Sequence, residues 1–171
     1  MTSKKTTSAK TIKIPRDSFG LKFREHVARE IRKAKKSIKI VTGEGGSYNY
    51  FDLRNEAEDA ANRGVKIYVY SVWADPDVAN RLIHNKMTVY KGNEDPKDHF
   101  VIRDDEAVTT SFKEIDRIKP TPMGQRRAEF TEDSRVVAKS SQTFKRLIGK
   151  SKKVRMSGKD PLEQALEKPI I

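Results

Sequence analysis

Apolar and polar positions along the chain change period several times, and each change marks an element. Residues 1–13, mostly Thr, Ser, Lys and Ala, have no period and read as a flexible arm. Phe23, Val27, Ile31 and Ala34 recur at helical spacing, which predicts a helix over 18–36 with Lys33, Lys35 and Lys36 at its end. Ser37 to Thr42 alternates as a strand does, and the run Gly43-Glu44-Gly45-Gly46-Ser47 breaks it. Asp52 can cap a second helix from Leu53 to Arg63, closed by Gly64. Val65 to Trp73 is apolar or aromatic at nearly every position, the signature of a parallel strand covered on both faces.

Asp75-Pro76 starts a third helix whose apolar face is Val78, Leu82 and Ile83. Met87 to Tyr90 is a short strand, and Gly92 to Pro96 a turn. Phe100 to Arg103 and Ala107 to Ser111 read as two strands joined through Asp104-Asp105-Glu106, a polar hairpin turn more readily than a cation site. Residues 113–126, with Pro120, Pro122 and Gly124, read as loop. Val137, Phe144, Leu147 and Ile148 mark a last helix over 134–148, stopped by Gly149. Strand–helix alternation predicts an α/β fold: a mixed, largely parallel sheet flanked by helices. The expected organisation is a basic arm (1–16), one α/β domain (17–150) and a basic carboxy-terminal tail (151–171).

Charge sharpens this picture because of where it sits. Of a net +12, residues 1–16 hold five basic side chains and no acid, and residues 145–159 hold seven and no acid. Residues 17–144 are nearly balanced, with 23 basic and 21 acidic side chains. Such ends attract a phosphate backbone through counterion release, so DNA or RNA is the expected partner. The candidate contacts are Lys4, Lys5, Lys10 and Lys13 in the arm, and Lys145, Arg146, Lys150, Lys152, Lys153 and Arg155 at the far end. Solubility alone is the competing explanation of the two runs, and an anionic membrane surface a third. The chain has no cysteine, which removes disulfides, thiolate metal sites and cysteine nucleophiles. No apolar run reaches the roughly 18 residues of a membrane span, and Met1 to Lys5 leads into no apolar segment of a secretory signal. A cytoplasmic location is expected.

The order of parts resembles one half of a phospholipase D-like domain. The resemblance rests on Ser37 to Thr42, on the junction Ala61-Asn62-Arg63-Gly64-Val65-Lys66-Ile67, and on the strand bearing His99, and it covers roughly 18–150. It implies the motif His-x-Lys-x-x-x-x-Asp followed by Gly-Ser, with a histidine that forms a phospho-enzyme bond, lysines that clamp the phosphate, and no metal. Here the best register is Lys97-Asp98-His99-Phe100-Val101-Ile102-Arg103-Asp104, which puts Lys97 at the nucleophile and His99 at the lysine. Anchoring on His99 instead puts Val101 at the lysine and Glu106 at the aspartate. Thr110-Ser111 stands near the place of Gly-Ser. The vestigial site would therefore be Lys97, His99, Asp104 and Ser111, with no complete catalytic set. Within the family the pattern is similar to the sensor domains of TrmB-type transcription regulators, through Asp98 to Ile102 and Gln125 to Phe130.

Three readings follow. The first is a non-catalytic phospholipase D-like domain that binds nucleic acid mainly through phosphates held by its basic ends. The second is a metal-independent nuclease or phosphodiesterase using His99 in a homodimer, as one-motif members imply. The third is a small-ligand sensor or a subunit of a larger assembly, with a pocket at Thr42, Ser47, Tyr48, His99 and Arg126. The loop at 43–47 lacks the Gly-Lys-Ser/Thr ending of a nucleotide-binding loop. Tyr48, Tyr50 and Phe51 could stack on bases or cover the core. His26, His84 and His99 are separated and read as structural, so neither metal nor cofactor is expected.

Overall fold

The computed structural model describes residues 10–15, 21–43, 53–72, 79, 82–84, 86–112 and 127–155. In chain order these form β1 (Thr11–Ile14), α1 (Leu21–Lys33), β2 (Ser37–Thr42), α2 (Arg54–Asn62), β3 (Lys66–Ser71), β4 (Met87–Lys91), β5 (His99–Arg103), β6 (Ala107–Phe112), β7 (Arg127–Thr131), α3 (Ser134–Gly149) and β8 (Lys152–Lys153). Ala79 and residues 82–84 are also helical. All eight strands form one sheet in the order β1-β7-β6-β5-β2-β3-β4-β8. The sheet is mixed. Its parallel part is β2-β3-β4, where helical crossovers return the chain in the same direction. The β2–β5, β5–β6, β6–β7, β7–β1 and β4–β8 ladders are antiparallel, so the parallel character expected from the Val65 to Trp73 run is confined to its neighbours.

Side-chain alternation along the strands builds two cores. On one face Ile38, Ile40, Ile67, Val69, Met87, Val89 and Val101 meet Val27 and Ile31 of α1, Ala57 and Ala60 of α2, and Ala79 and Leu82. On the other face Val41, Tyr70, Phe100, Ile102 and Val108 meet Val137, Phe144 and Leu147 of α3. α3 begins at Asp133, whose carboxylate accepts from the N–H of Arg135. α2 begins at Leu53, which supplies no side-chain cap, and Asp52 lies outside the described residues. Gly64 ends α2 at φ +90°, a backbone state that residues with a Cβ rarely adopt.

Two segments assigned to basic ends belong to the sheet. Residues 11–14, read above as part of a flexible arm, pair with β7, and Ile14 is buried with Ala107, Ala128 and Phe130. Thr11-Ile12-Lys13-Ile14 alternates polar and apolar over only four residues, and the strand forms because β7 offers an open edge. Lys152 and Lys153 of the expected tail pair with Lys91 and Tyr90 at the other edge. No strand is expected above at 127–131, although Arg127-Ala128-Glu129-Phe130 alternates polar and apolar positions. The expected loop at 113–126, the cap of the third helix at Asp75-Pro76, and most of the amino-terminal arm lie outside the described residues.

A buried polar network ties α1 to the motif strand. Arg103 Nε donates to Glu30 Oε2, and these side chains are only 15% and 3% exposed. His26 Nε2 lies 3.7 Å from Glu30 Oε1 and 3.1 Å from the hydroxyl of Thr109. The His26 ring meets Phe130 edge-on. Burial lowers the His26 pKa, against the opposing pull of Glu30.

Candidate functional site

The carboxyl ends of β2 and β3 bring a row of polar side chains to one end of the central strands, the place where open α/β sheets commonly form sites. Thr42 stands opposite Ser71, and His99 stands opposite Ser111 on the neighbouring pair of strands. Thr42, Ser71 and Ser111 are buried, and His99 is half-buried. The N–H of Gly43 donates to His99 Nε2 at 3.1 Å. That nitrogen is therefore an acceptor, and a neutral ring carries its proton on Nδ1. Gly43 is needed for this fit. A Cβ there would lie 2.6 Å from Asp95 Oδ1 and 2.8 Å from His99 Nε2. The loop carrying Asp95 is itself held by the Tyr70 hydroxyl, which donates to the Glu94 carbonyl at 2.8 Å.

The four vestigial positions do not form one site. His99 and Ser111 are neighbours, but Lys97 lines a separate groove of about 410 Å³ between the 94–98 loop and α3, beside Asp98, Thr110, Phe112 and Lys139. Val101, the lysine position of the second register, is buried in the core, and Glu106 is exposed in the β5–β6 turn. Asp104 lies at the opposite end of β5 from His99, about 16 Å away at strand rise. It adopts φ +53°, and its carboxylate accepts from the N–H groups of Lys35, Lys36 and Ser37 at 3.0, 2.7 and 2.9 Å. The Arg63 guanidinium completes this junction by donating to the carbonyls of Ile31 and Arg32, which α1 leaves without helical partners. Asp104 is thus a staple between the end of α1 and the start of β2.

Burial opposes the Asp104 charge, but the donors from Ser37, Lys35 and Lys36, with Arg103, outweigh it and hold its carboxyl below the ordinary value of 3.8. A depressed carboxylate pKa contributes stability that is present above the unfolded value and lost as pH falls through the folded one. Asp104→Asn keeps the shape and tolerates the positive φ, yet loses the charge and one accepting oxygen. It is expected to cost about 1.5 kcal/mol at neutral pH, or roughly 3–6 °C in Tm. Thermal melts from pH 7 to pH 2 should also show a shallower acid-side loss in the variant than in the parent.

Thr42 and His99 of the expected ligand pocket come together, whereas Ser47, Tyr48 and Arg126 lie outside the described residues. Among the basic candidates, Lys4 and Lys5 also lie outside them. Lys10, Lys13, Lys145, Lys150, Lys152, Lys153 and Arg155 are exposed. Arg146 is exposed but committed. Its guanidinium pairs with Glu94 and, chiefly through that hydrogen bond, holds the Glu94 carboxyl below its usual range. Among the described residues no three His, Cys, Asp or Glu side chains are grouped to hold a metal ion, and no helix is long and apolar enough to cross a membrane.

No protein-family model and no curated protein matches the sequence. Solved structures do match. The phospholipase D family member Nuc from Salmonella typhimurium superposes with TM-score 0.64 at 15% identity, over 86% of this chain and 98% of that one. NucT from Helicobacter pylori superposes with TM-score 0.60 at 13% identity, over 86% of this chain and 99% of that one. TrmBL2, an archaeal chromatin protein described as showing a novel mode of DNA binding, superposes with TM-score 0.62 at 15% identity. That match covers 87% of this chain and 54% of TrmBL2, so the chain spans about half of TrmBL2. At these identities the likeness is one of fold, and the chain has a phospholipase D-like fold.

Proposed function

We propose that this chain is a non-catalytic phospholipase D-like domain that binds nucleic acid, chiefly through phosphate contacts from its basic ends. The observation that carries this reading is the exposed, closely spaced set Lys145, Lys150, Lys152, Lys153 and Arg155, which follows the last turns of α3 into β8. Ordered backbone from the last turns of α3 through β8 presents these five exposed cations within residues 145–155, which lowers the entropy lost when they engage a phosphate chain. The broken motif supports the absence of turnover. His99 Nε2 already accepts from Gly43, Lys97 faces another groove, and Asp104 is a structural staple. That TrmBL2, of like fold, is described as binding DNA is consistent with the reading.

The test is a fluorescence-anisotropy titration of labelled DNA and RNA at several salt concentrations, with chelator present and the probes inspected for cleavage afterwards. The expected result is salt-steep binding with intact probes, each engaged cation adding about 0.9 to the log–log slope on duplex DNA. Shortened probes would instead support a phosphodiesterase working through His99 in a homodimer, and His99→Ala should then abolish cleavage. Absence of binding would move the assignment to a ligand sensor or assembly subunit.

A further inference from the structure

α3 covers the sheet over β5 and β6 and reaches Tyr68 of β3 through an edge-on contact between Tyr68 and Phe144. Beyond that contact, a groove of about 480 Å³ opens over β3, β4 and β8. Its floor follows from strand parity. Lys66 and Tyr68 alternate outward on β3, Thr88 and Tyr90 on β4, and Lys153 stands opposite Tyr90 on β8. Tyr68 pairs with Thr88 and Tyr70 with Tyr90, so the two ring-bearing positions of the floor are diagonal neighbours, about 8 Å apart at sheet spacing. Lys86 forms the lip. It is held at φ +66° with its N–H donating to the Ile83 carbonyl and its ammonium to Asn62 Oδ1 at 3.1 Å.

The groove combines three lysines with two half-buried tyrosines, and among the described residues that line it none is acidic. Its size lies in the range of small-ligand and nucleotide sites. Lysines alone would suit any phosphate chain. Tyrosines between them favour a chain whose bases are unpaired, because a duplex keeps its base faces stacked away from a protein surface. Sheet faces that place aromatic rings beside basic side chains are one solution to holding single strands. We infer that the β3-β4-β8 face is a single-stranded nucleic-acid platform, with Lys66, Lys86 and Lys153 on the phosphates and Tyr68 and Tyr90 against the bases. This inference rests on the nucleic-acid reading above and adds to it a second surface, apart from the motif strand, with a preference for single strands.

The experiment compares the full chain with two double variants, Tyr68→Leu/Tyr90→Leu and Lys66→Glu/Lys86→Glu. Each is titrated against a labelled oligothymidylate and a labelled duplex of equal length, and thermal melts confirm the fold. The leucines keep apolar packing against α3 and lose the ring. They are expected to weaken oligothymidylate binding roughly 10- to 100-fold while duplex binding stays within about twofold. The glutamates sit at exposed positions and should weaken single-strand binding at least about tenfold even if the leucine pair folds poorly. Single-strand affinity unchanged in either folded variant, or equal losses on both probes in the leucine pair, overturns the platform. If the platform variants bind as the parent does while neutralising Lys145, Lys150, Lys152 and Arg155 abolishes binding, the platform falls and the basic-end reading stands. If the parent binds neither probe, both fall.

Discussion

Arg103→Met is expected to remove about 3–5 kcal/mol of stability and to lower Tm by roughly 6–20 °C. Glu30 is 3% exposed and faces the sheet from α1, where the Arg103 guanidinium is paired with it. Methionine fills much of the volume but leaves that carboxylate without its cation, and a lone buried charge is worse than either a pair or an apolar substitute. Arg103 also approaches Asp104 and Glu106 at 3.7 Å, but Glu106 is largely exposed and contributes little. The double variant Glu30→Met/Arg103→Met should recover most of the loss, since the burial penalty leaves with the pair. Chemical denaturation of the parent, both single variants and the double variant closes the cycle. A loss below about 1 kcal/mol in Arg103→Met would show that Glu30 finds another partner, and the network would not be what holds α1 to β5.

Neutralising Lys145, Lys150, Lys152 and Arg155 to glutamine is expected to raise the Kd for duplex DNA by about 10²–10³-fold near 0.1 M salt. The four side chains are exposed, so the fold should melt within about 2 °C of the parent. Lys153 is kept because it belongs to the platform, and Arg146 because it pairs with Glu94. The log–log salt slope should fall by about 3 to 4, close to 0.9 for each lost cation. Lys33→Gln/Lys36→Gln, which removes two exposed cations at the end of α1, serves as the control and should change Kd by less than about threefold. An unchanged slope in the fourfold variant would place the phosphate contacts elsewhere and defeat the proposal in its present form.

Local pattern determined much of the fold. The helical spacing of Phe23, Val27 and Ile31, the alternation of Ser37 to Thr42, and the position of Gly64 each record a local requirement, and the structure meets them at α1, β2 and the close of α2. The two basic runs were equally plain, because charge is countable without coordinates. The motif reading depended on more than spacing. His99 and Asp104 are five residues apart, which an extended strand converts into its two opposite ends, so a linear motif became one strand-end residue and one staple.

What tertiary structure alone decided is pairing. β1 and β8 are four and two residues long, too short to stand as strands alone, and exist because β7 and β4 offer open edges. Glu30 and Arg103 are separated by more than seventy residues, and nothing in either neighbourhood marks them as partners. Tyr68 and Tyr90 read simply as apolar strand positions until α3, covering β5 and β6, leaves the β3-β4-β8 face open beside Lys66, Lys86 and Lys153. Periodicity specifies which face of an element turns inward. Which part of that face another element then covers depends on packing between segments distant in sequence, and on that coverage a core position becomes a surface for a partner.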